Sequence, residues 1–301
     1  MAITLGTCSW TDPSLIKSGR FYPVGVKTPE ARLRYYAGIF PTVEVDTSYY
    51  AVPEPRTAIQ WAERTPEQFS FHVKAFRLLT GHWADLKVLP PDLREAAAPH
   101  TDRRGRLYLK DLPGETKDAL WSAFEAALAP LRGEGKLGTV LFQFAPWVPP
   151  SKRVYEHIEE CKARLPGYQL AIEFRNKAWF ERGMEETLGF LRRHELIYAA
   201  VDEPQGFSSS VPPVVDVTGP GAYVRFHGRN RDTWEKRDAK TSAERFDYWY
   251  APEELAEWVP RLEFLEREAG DVSVLFNTNN EDQGPENARR LAAVLTDAGL
   301  G

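Results

Sequence analysis

Apolar and polar positions alternate in eight short segments that are rich in β-branched and aromatic residues, a pattern that predicts strands. These segments are Ile3–Cys8, Thr42–Thr47, Phe69–Ala75, Gly138–Phe144, Gln169–Arg175, Ile197–Asp202, Ala222–Gly228 and Val272–Thr278. Most of the intervening segments repeat apolar residues three and four positions apart, and several open on Thr, Ser or Pro, which predicts helices. The segment after the sixth strand, residues 203–220, is too rich in Pro, Gly and Ser for a full helix.

Eight strands alternating with about seven helices over 301 residues predict an α/β fold, a TIM (β/α)8-like barrel with one helix short or missing after strand six. A doubly wound open sheet with an added piece is the alternative. Short helix-to-strand joins and long strand-to-helix connections favour the barrel, whose functional face lies at the carboxyl ends of the strands. We predict one domain over residues 1–301, with an insertion at about 77–114 on that face.

Polar residues keep to one parity within the strands, so they are expected to face the barrel interior while their apolar neighbours face the helices. The inward set is Glu44, Asp46, His72, Lys74, Gln143, Glu173, Arg175, Asp202, Arg225, His227, Asn277 and Asn279. Charges of both signs are costly to bury unless they pair or reach solvent at the barrel mouth, the face formed by the strand carboxyl ends. Six side chains are therefore expected to converge there: Glu44, Lys74, Glu173, Arg175, Arg225 and His227. Phe174 and Phe226 should pack outward.

Charge and cysteine content narrow the class of protein. A net charge of -5 and a pI near 5.8 argue against nonspecific binding to nucleic acid or to an anionic membrane. Cys8 and Cys161 are too few for a disulfide framework or a four-thiolate zinc site, which favours a reducing compartment. No apolar run approaches the ~18 residues of a membrane span, and the first residues lack the pattern of a secretory signal. We expect a cytoplasmic protein with no membrane partner.

Nine motifs stand in order along nearly the whole chain. They are GTCSW (6–10), FYP (21–23), TVEVDTSYY (42–50), FHVKA (71–75), LFQF (141–144), IEFRNKAWF (172–180), VRFHGRN (224–230), YWY (248–250) and LFNTNNEDQGPENA (275–288). Together they resemble the landmarks of the bacterial YecE-like family, named for domain of unknown function 72. The resemblance implies a TIM-type barrel that has been compared with sugar isomerases, and it implies no established reaction.

The same resemblance marks individual positions as matches to the family's motifs. They are Glu44, Lys74, Gln143, Glu173, Arg175, Arg225, His227, Tyr248 and Asn277. The chain departs from the family at Asp46, where Asn is common, and at Cys8 and Ser9, where the opening is usually GTSGW-like. These departures argue against a metal role for Asp46 and a catalytic role for Cys8.

The predicted function is acid/base chemistry on a small anionic or phosphorylated sugar, polyol or nucleotide fragment. In this hypothesis the catalytic residues are Glu173, His227 and Glu44, and Lys74, Arg175 and Arg225 hold the anion. Further substrate contacts are expected from Gln143, Asn277, Tyr248, Trp10 and Trp179. The two tryptophans belong to a larger set that follows the strands and is expected to form an aromatic rim: Trp10, Trp83, Trp147, Trp179, Trp234 and Trp249.

Three other interpretations remain. Carboxylates with His72 and His227 could ligate a divalent metal, as in a phosphodiesterase or a sugar isomerase-like enzyme. No cofactor is predicted, because fixed cations would repel a metal ion and no HxH or HExxH spacing occurs. The chain could instead be a noncatalytic small-anion binding protein, or the inward charges could be a structural ion-pair network. The charged loop 228–241 is a candidate lid.

Overall fold

Eight parallel strands close into a barrel in the computed structural model, which describes residues 3–181, 183–236 and 241–300. The strands are β1 (Ile3–Thr7), β2 (Thr42–Val45), β3 (Ser70–Lys74), β6 (Leu137–Gln143), β7 (Gln169–Glu173), β8 (Ile197–Asp202), β9 (Ala222–Phe226) and β10 (Val272–Phe276), while β4 (Ala84–Asp85) and β5 (Arg106–Leu107) form a separate antiparallel pair. Strand β1 pairs with both β2 and β10, which closes the sheet. The predicted TIM-like barrel is confirmed, and the open-sheet alternative is wrong.

Helices surround the barrel. They are α1 (Pro13–Ser18), α2 (Pro29–Ala37), α3 (Pro55–Glu63), α4 (Pro91–Ala97), α5 (Gly114–Gly133), α6 (Lys152–Arg164), α7 (Ala178–Glu181), α8 (Met184–Arg193), α9 (Ser242–Arg245), α10 (Pro252–Ala256), α11 (Val259–Ala269) and α12 (Gln283–Asp297). Helix α2 shows the local logic: Pro29 stands in its first turn and the Thr28 hydroxyl accepts a hydrogen bond from the amide of Ala31. Residues 203–221, between β8 and β9, contain no helix, which confirms the predicted gap.

The barrel interior divides into an apolar layer and a polar layer. The apolar layer contains Leu141, Ala171, Ile197, Ala199, Tyr223 and Leu275, together with Cys8. The polar residues lie above it, towards the strand carboxyl ends, because they occupy the next inward positions of the same strands. Outside the barrel, Phe174 stacks on Trp179 at 4.0 Å and Phe226 stacks on Phe276 at 4.6 Å. Phe174 and Phe226 therefore pack outward, as predicted.

Asp202 does not belong to the inward set, and its predicted orientation was wrong. Its carboxylate accepts hydrogen bonds from Tyr250 Oη at 2.7 Å and Trp258 Nε1 at 2.6 Å, and it pairs with Arg229. In β8 the inward positions are Ile197 and Ala199, so Asp202 has the opposite parity. The Asp202 side chain thus connects the end of β8 to Tyr250 and Trp258 outside the barrel.

His72 is inward but lies below the mouth. Its Nδ1 accepts the amide of Thr139 at 2.9 Å, where the register between β3 and β6 shifts. The ring occupies the space next to Gly138, since a Cβ at that glycine would meet the imidazole at 2.7 Å. Burial lowers the pKa of His72 to about 3, so this histidine is a neutral packing and hydrogen-bonding group.

None of the α-helices in the described ranges is both long enough and apolar enough to cross a membrane bilayer.

Candidate active site

A buried ion-pair cluster fills the centre of the barrel below the mouth. Arg225 on β9 donates from Nη1 to Glu173 Oε2 at 2.6 Å and from Nη2 to Glu44 Oε1 at 2.8 Å. Tyr223 donates its hydroxyl to the other oxygen of Glu44 at 2.8 Å. Glu44, Glu173 and Arg225 each have 0% exposure. We call the four charged or titratable residues Glu44, Glu173, Arg225 and His227 the floor of the site.

The second oxygen of Glu173 faces three further donors, from the ends of β6, β7 and β9. Gln143 Nε2 lies at 2.6 Å, His227 Nε2 at 3.0 Å and Arg175 Nη1 at 3.6 Å from Glu173 Oε1. The Asn277 amide donates to His227 Nδ1 at 3.0 Å, which places the imidazole proton on Nε2, facing Glu173. These contacts hold the carboxylate in place and fix one tautomer of the histidine.

The pKa values of the titratable floor residues are shifted in different directions. Burial opposes the charge on Glu173, but Arg225, His227 and Arg175 outweigh it and hold its pKa well below the usual range. Burial raises the pKa of Glu44 despite the attraction of Arg225 and Lys74. Burial also lowers the pKa of His227 to about 3. Near pH 7 the floor therefore contains an ionised Glu173, a neutral His227 and a Glu44 that resists ionisation.

Lys74 lies nearer to solvent, at the carboxyl end of β3. Its Nζ donates to Asp46 Oδ1 at 2.7 Å and lies 4.6 Å above the centre of the Tyr49 ring. The Ser48 hydroxyl donates to the Lys74 carbonyl at 2.6 Å, which joins the loop after β2 to the end of β3. Lys74 is thus held in place with one carboxylate partner.

Arg175 follows β7, which is separated from β3 by β6 alone, and it lies next to Glu173. Its Nε is 3.3 Å from Glu203 Oε2, and its guanidinium stacks on the Trp234 ring at 4.7 Å. Burial raises the pKa of Glu203 to about 8, so this carboxyl is mostly protonated near pH 7. Within the described ranges, Arg175 Nε makes no hydrogen bond of acceptable geometry. The charge of Arg175 is therefore only weakly balanced.

Arg77 and His82 join the mouth from the segment that follows β3, and the sequence analysis did not single them out. The Arg77 guanidinium lies 5.2 Å from the Tyr49 ring and 4.9 Å from the Trp83 ring. The His82 ring lies edge-on to Tyr49 at 5.2 Å. A signal was present: Arg77 and the GHW motif around His82 lie directly beyond a strand carboxyl end, at the start of the charged insertion.

Trp10 and Trp179 are not rim residues, and the prediction for these two positions was wrong. Trp179 has 0% exposure, stacks on Phe174 and donates from Nε1 to the Val148 carbonyl at 2.9 Å. Trp10 is buried against the rings of Trp61 and Phe71, at 5.7 and 6.3 Å. Both tryptophans follow strands in sequence but turn back into the layer between strands and helices.

Tyr248 is also outside the floor. Its hydroxyl donates to Glu254 at 2.6 Å, and its ring packs edge-on to Tyr250 at 5.0 Å. The backbone of Gly228 comes so close that a Cβ there would lie 2.6 Å from the Tyr248 Cβ, at a φ of +83° that favours glycine. Tyr248 supports the loop after β9, and within the described chain it makes no direct contact with the floor residues.

The predicted open cleft is covered on the β9 side. The rings of Phe246 and Trp234 lie 5.7 and 6.2 Å from the His227 ring, and Trp234 is only 3% exposed. The candidate lid 228–241 includes residues 237–240, which lie outside the described residues. The floor is therefore shielded from solvent, whereas Lys74, Arg77 and Arg175 surround the part of the mouth that remains partly exposed.

Metal ligation has little support in the geometry of the described chain. Within it, no group of three or more His, Cys, Asp or Glu residues is arranged to hold a metal ion. The histidines of the metal hypothesis are already engaged, His72 by the Thr139 amide and His227 by Glu173 and Asn277. The metal-dependent alternative therefore lacks a ligand set here.

Comparison with models of protein families assigns the chain to a family. A family model described as a protein of unknown function, DUF72, matches residues 4–300. The chain belongs to the DUF72 family. This membership confirms the YecE-like resemblance, because the two names denote the same family.

Relatives of this DUF72 chain support the same assignment. The UPF0759 protein YunF of Bacillus subtilis is 34% identical over 297 residues, covering 97% of this chain and 94% of the relative. A crystal structure of a DUF72 family protein from Enterococcus faecalis superposes with a TM-score of 0.77 at 27% identity, covering 98% of this chain and 95% of that one. A DUF72 family protein from Thermotoga maritima gives 0.76 at 29% identity, covering 98% and 100%. These names state no activity. The chemistry of the barrel mouth must therefore be inferred from the residues of this chain.

Proposed function

We propose that this DUF72 chain is an enzyme that binds a small anionic or phosphorylated sugar or polyol at the barrel mouth and acts on it by acid/base chemistry. The observation that carries the proposal is the position of Arg175. Its side chain is 12% exposed, its Nε makes no hydrogen bond in the described chain, and its Nη1 lies 3.6 Å from Glu173. A cation with free donors thus lies directly above the ionised carboxylate of the floor.

Arg175 is the proposed anchor of the substrate anion. A guanidinium binds a carboxylate or phosphate through two parallel hydrogen bonds, and the neutral form of Glu203 leaves much of its charge available. Trp234 stacks on one face of the guanidinium and fixes its plane. This orientation would place a bound anion against the partly exposed side of the mouth.

Glu173 and His227 are the proposed proton-handling pair. The Nε2–H of His227 already points at Glu173 Oε1, and Arg225 stabilises the carboxylate from the other side. Glu44 is a carboxyl whose environment favours the protonated form, which suits it to hold a proton near this pair. The shielding of the floor by Trp234 and Phe246 would strengthen each of these interactions by excluding water.

One observation favours a second candidate function, a noncatalytic small-anion binding protein. Glu173 already accepts three hydrogen bonds, from Arg225, Gln143 and His227, which hold its carboxylate in a fixed position. In that function the floor would serve as a rigid support for the anion site.

Ligand-binding and turnover measurements on two variants test the proposal. Wild type is expected to bind sulfate and sugar phosphates, Arg175→Met to bind them more weakly, and Glu173→Gln to retain binding while losing turnover of whichever panel compound the wild type converts. The matched control is Arg192→Met, because Arg192 is an exposed surface arginine whose ion pair in the described chain is with Asp216. Binding without turnover across a broad panel of phosphorylated sugars and polyols would favour the noncatalytic function. Absence of any anion binding by the wild type would contradict both.

A further inference from the structure

Lys74, Arg77 and His82 form a second charged group at the mouth, on the side of the segment that follows β3. Lys74 and Arg77 share the Tyr49 ring, with the Lys74 Nζ at 4.6 Å and the Arg77 Cζ at 5.2 Å from its centre. His82 packs edge-on to the same ring and to Trp147, at 5.2 and 5.3 Å. All three groups thus contact one ring, and both cations also lie near enough to His82 to lower its pKa.

The positive charge of this group is not balanced. Lys74 has one carboxylate partner, Asp46, whereas Arg77 has no carboxylate within 4.0 Å among the described residues. The Arg77 Nε is also buried without a hydrogen-bond acceptor in that part of the chain. A buried N–H without an acceptor is costly, and it is expected where a ligand supplies the acceptor.

Thr80 connects Arg77 and His82 through its hydroxyl. The Thr80 Oγ1 lies 3.1 Å from the Arg77 carbonyl oxygen and 3.0 Å from His82 Nδ1. The hydroxyl has one proton, which either atom can accept, so both tautomers of His82 fit these contacts. His82 enters the group as a neutral imidazole, because burial and the nearby cations lower its pKa.

We infer that Lys74, Arg77 and His82 form an anion subsite that takes a phosphoryl or sulfate dianion, and that His82 takes up a proton when the dianion binds. The inference rests on the proposed function, since it assumes that anions bind at the mouth, and it narrows the substrate class from anionic to phosphorylated compounds. Two cations and an imidazolium match a dianion with three or more oxygens better than a monoanionic carboxylate. Trp147, at 58% exposure, offers an aromatic face next to the subsite for the rest of the substrate.

Electrostatic linkage explains the proton uptake. Burial, together with Lys74, Arg77 and Arg175, lowers the pKa of His82 to about 3 in the free protein. A bound dianion offsets the repulsion from these cations and offers an acceptor to a protonated Nε2, so it raises the pKa of His82. The other groups facing the imidazole are Tyr49, Thr80 and Trp147, while Asp46 lies beyond Lys74.

The sign of the pH dependence follows from that rise. Because the bound state holds a proton that the free state lacks, affinity increases as pH falls through the pKa of the bound form. If binding returns His82 to its ordinary value of about 6.5, affinity for a dianion should rise about tenfold between pH 7.5 and pH 5.5. Sulfate is the appropriate probe, since its own charge does not change in this range.

Calorimetric titration of the full chain with sulfate tests the inference. Measurements at about pH 7.5 and pH 5.5, each in two buffers of different ionisation enthalpy, report both affinity and proton uptake. Wild type should gain affinity at the lower pH with uptake of most of one proton, and acetate should bind far more weakly. His82→Gln should abolish the pH dependence, and Arg77→Met should weaken sulfate binding at least about tenfold. Arg103→Met, an exposed arginine of the same segment, is the matched control.

The outcomes separate this inference from the proposed function. Sulfate binding that Arg175→Met abolishes and Arg77→Met leaves unchanged would overturn the subsite and keep the proposed function. The same holds for pH-dependent binding that survives in His82→Gln. Failure of wild type to bind any anion would overturn both. If Arg77→Met does not fold, Arg77→Gln keeps hydrogen-bonding capacity without the charge and should show the same loss.

Discussion

Arg225 and Arg77 are both arginines near the strand carboxyl ends, yet they lie in opposite environments. Arg225 has 0% exposure and bridges Glu44 and Glu173 at 2.8 and 2.6 Å. Arg77 is held by the rings of Tyr49 and Trp83, and in the described chain no carboxylate lies within 4.0 Å of it. The charge of Arg225 is balanced by two buried carboxylates, whereas the charge of Arg77 has no such partner in the described chain, although the Nε of each arginine is buried there without an acceptor.

This difference distinguishes structural charge from charge available for binding. When buried carboxylates balance the charge of a buried cation, removing the cation destabilises the native state, because the carboxylates are left without a partner. A cation held only by aromatic faces gains about 0.5–1 kcal/mol from each ring and keeps its donors free. The sequence hypothesis that Arg225 holds the substrate anion stays a prediction, and the ion pairs of its guanidinium with Glu44 and Glu173 argue against it.

Removal of the Arg225 guanidinium should have the largest effect on stability. Arg225→Met is expected to lower the free energy of unfolding by about 3–5 kcal/mol, because Glu44 and Glu173 remain buried without their partner. Urea denaturation measures this loss. The control Arg192→Met removes a half-exposed arginine and should cost less than about 1 kcal/mol. Equal effects of the two changes would show that the floor is not a dry ion-pair network.

Neutralising the two floor carboxylates separately should give an intermediate and unequal effect. Glu173→Gln is expected to cost about 1–3 kcal/mol at pH 7, because the ionised carboxylate is strongly stabilised by Arg225. Glu44→Gln should cost less, since burial already disfavours the charge on Glu44. Urea midpoints of both variants at pH 7 test this order, and a larger loss for Glu44→Gln would reverse the assignment.

The same two carboxylates should act on stability with opposite pH dependence. The folded pKa of Glu173 is depressed, so its contribution is present above the unfolded value of about 4.3 and is lost as pH falls through the folded pKa. The folded pKa of Glu44 is raised, so its contribution is present below about 4.3 and is lost as pH rises through the folded pKa. Difference curves of urea midpoint against pH, wild type minus each Gln variant, should therefore slope in opposite directions.

Removal of the Arg77 guanidinium should have the smallest effect on stability. Arg77→Met is expected to change the free energy of unfolding by about 1 kcal/mol or less, because it loses two cation–π contacts and also removes a buried donor without an acceptor. Thermal melts alongside Arg103→Met measure the change. A loss as large as that of Arg225→Met would mean that Arg77 is a structural residue.

The alternating strand and helix patterns were enough to predict the barrel, strand parity predicted the outward packing of Phe174 and Phe226, and the Pro, Gly and Ser content of residues 203–220 predicted the missing helix after β8. Periodicity reports which face of a strand is apolar, and eight alternating strand and helix patterns leave few topologies. The same parity brought Glu44, Glu173, Arg175, Arg225 and His227 to one end of the barrel. Parity failed at Asp202 because a polar residue at a strand end is also suited to bond the helix layer, here through Tyr250 and Trp258.

The sequence by itself determined most of the strand residues that face the barrel interior near the mouth, because the direction of a side chain on a strand follows from two-residue periodicity. Only the tertiary structure decided which of those groups are neutralised, since Arg225, Glu173 and Glu44 come from strands far apart in sequence and their pairing depends on barrel closure. Tertiary packing also turned Trp10 and Trp179 inward and brought Arg77 and His82 to the mouth through the Tyr49 ring. Whether a charge is free or satisfied depends on its distance to other charges and to solvent, and those distances are set by the closed barrel.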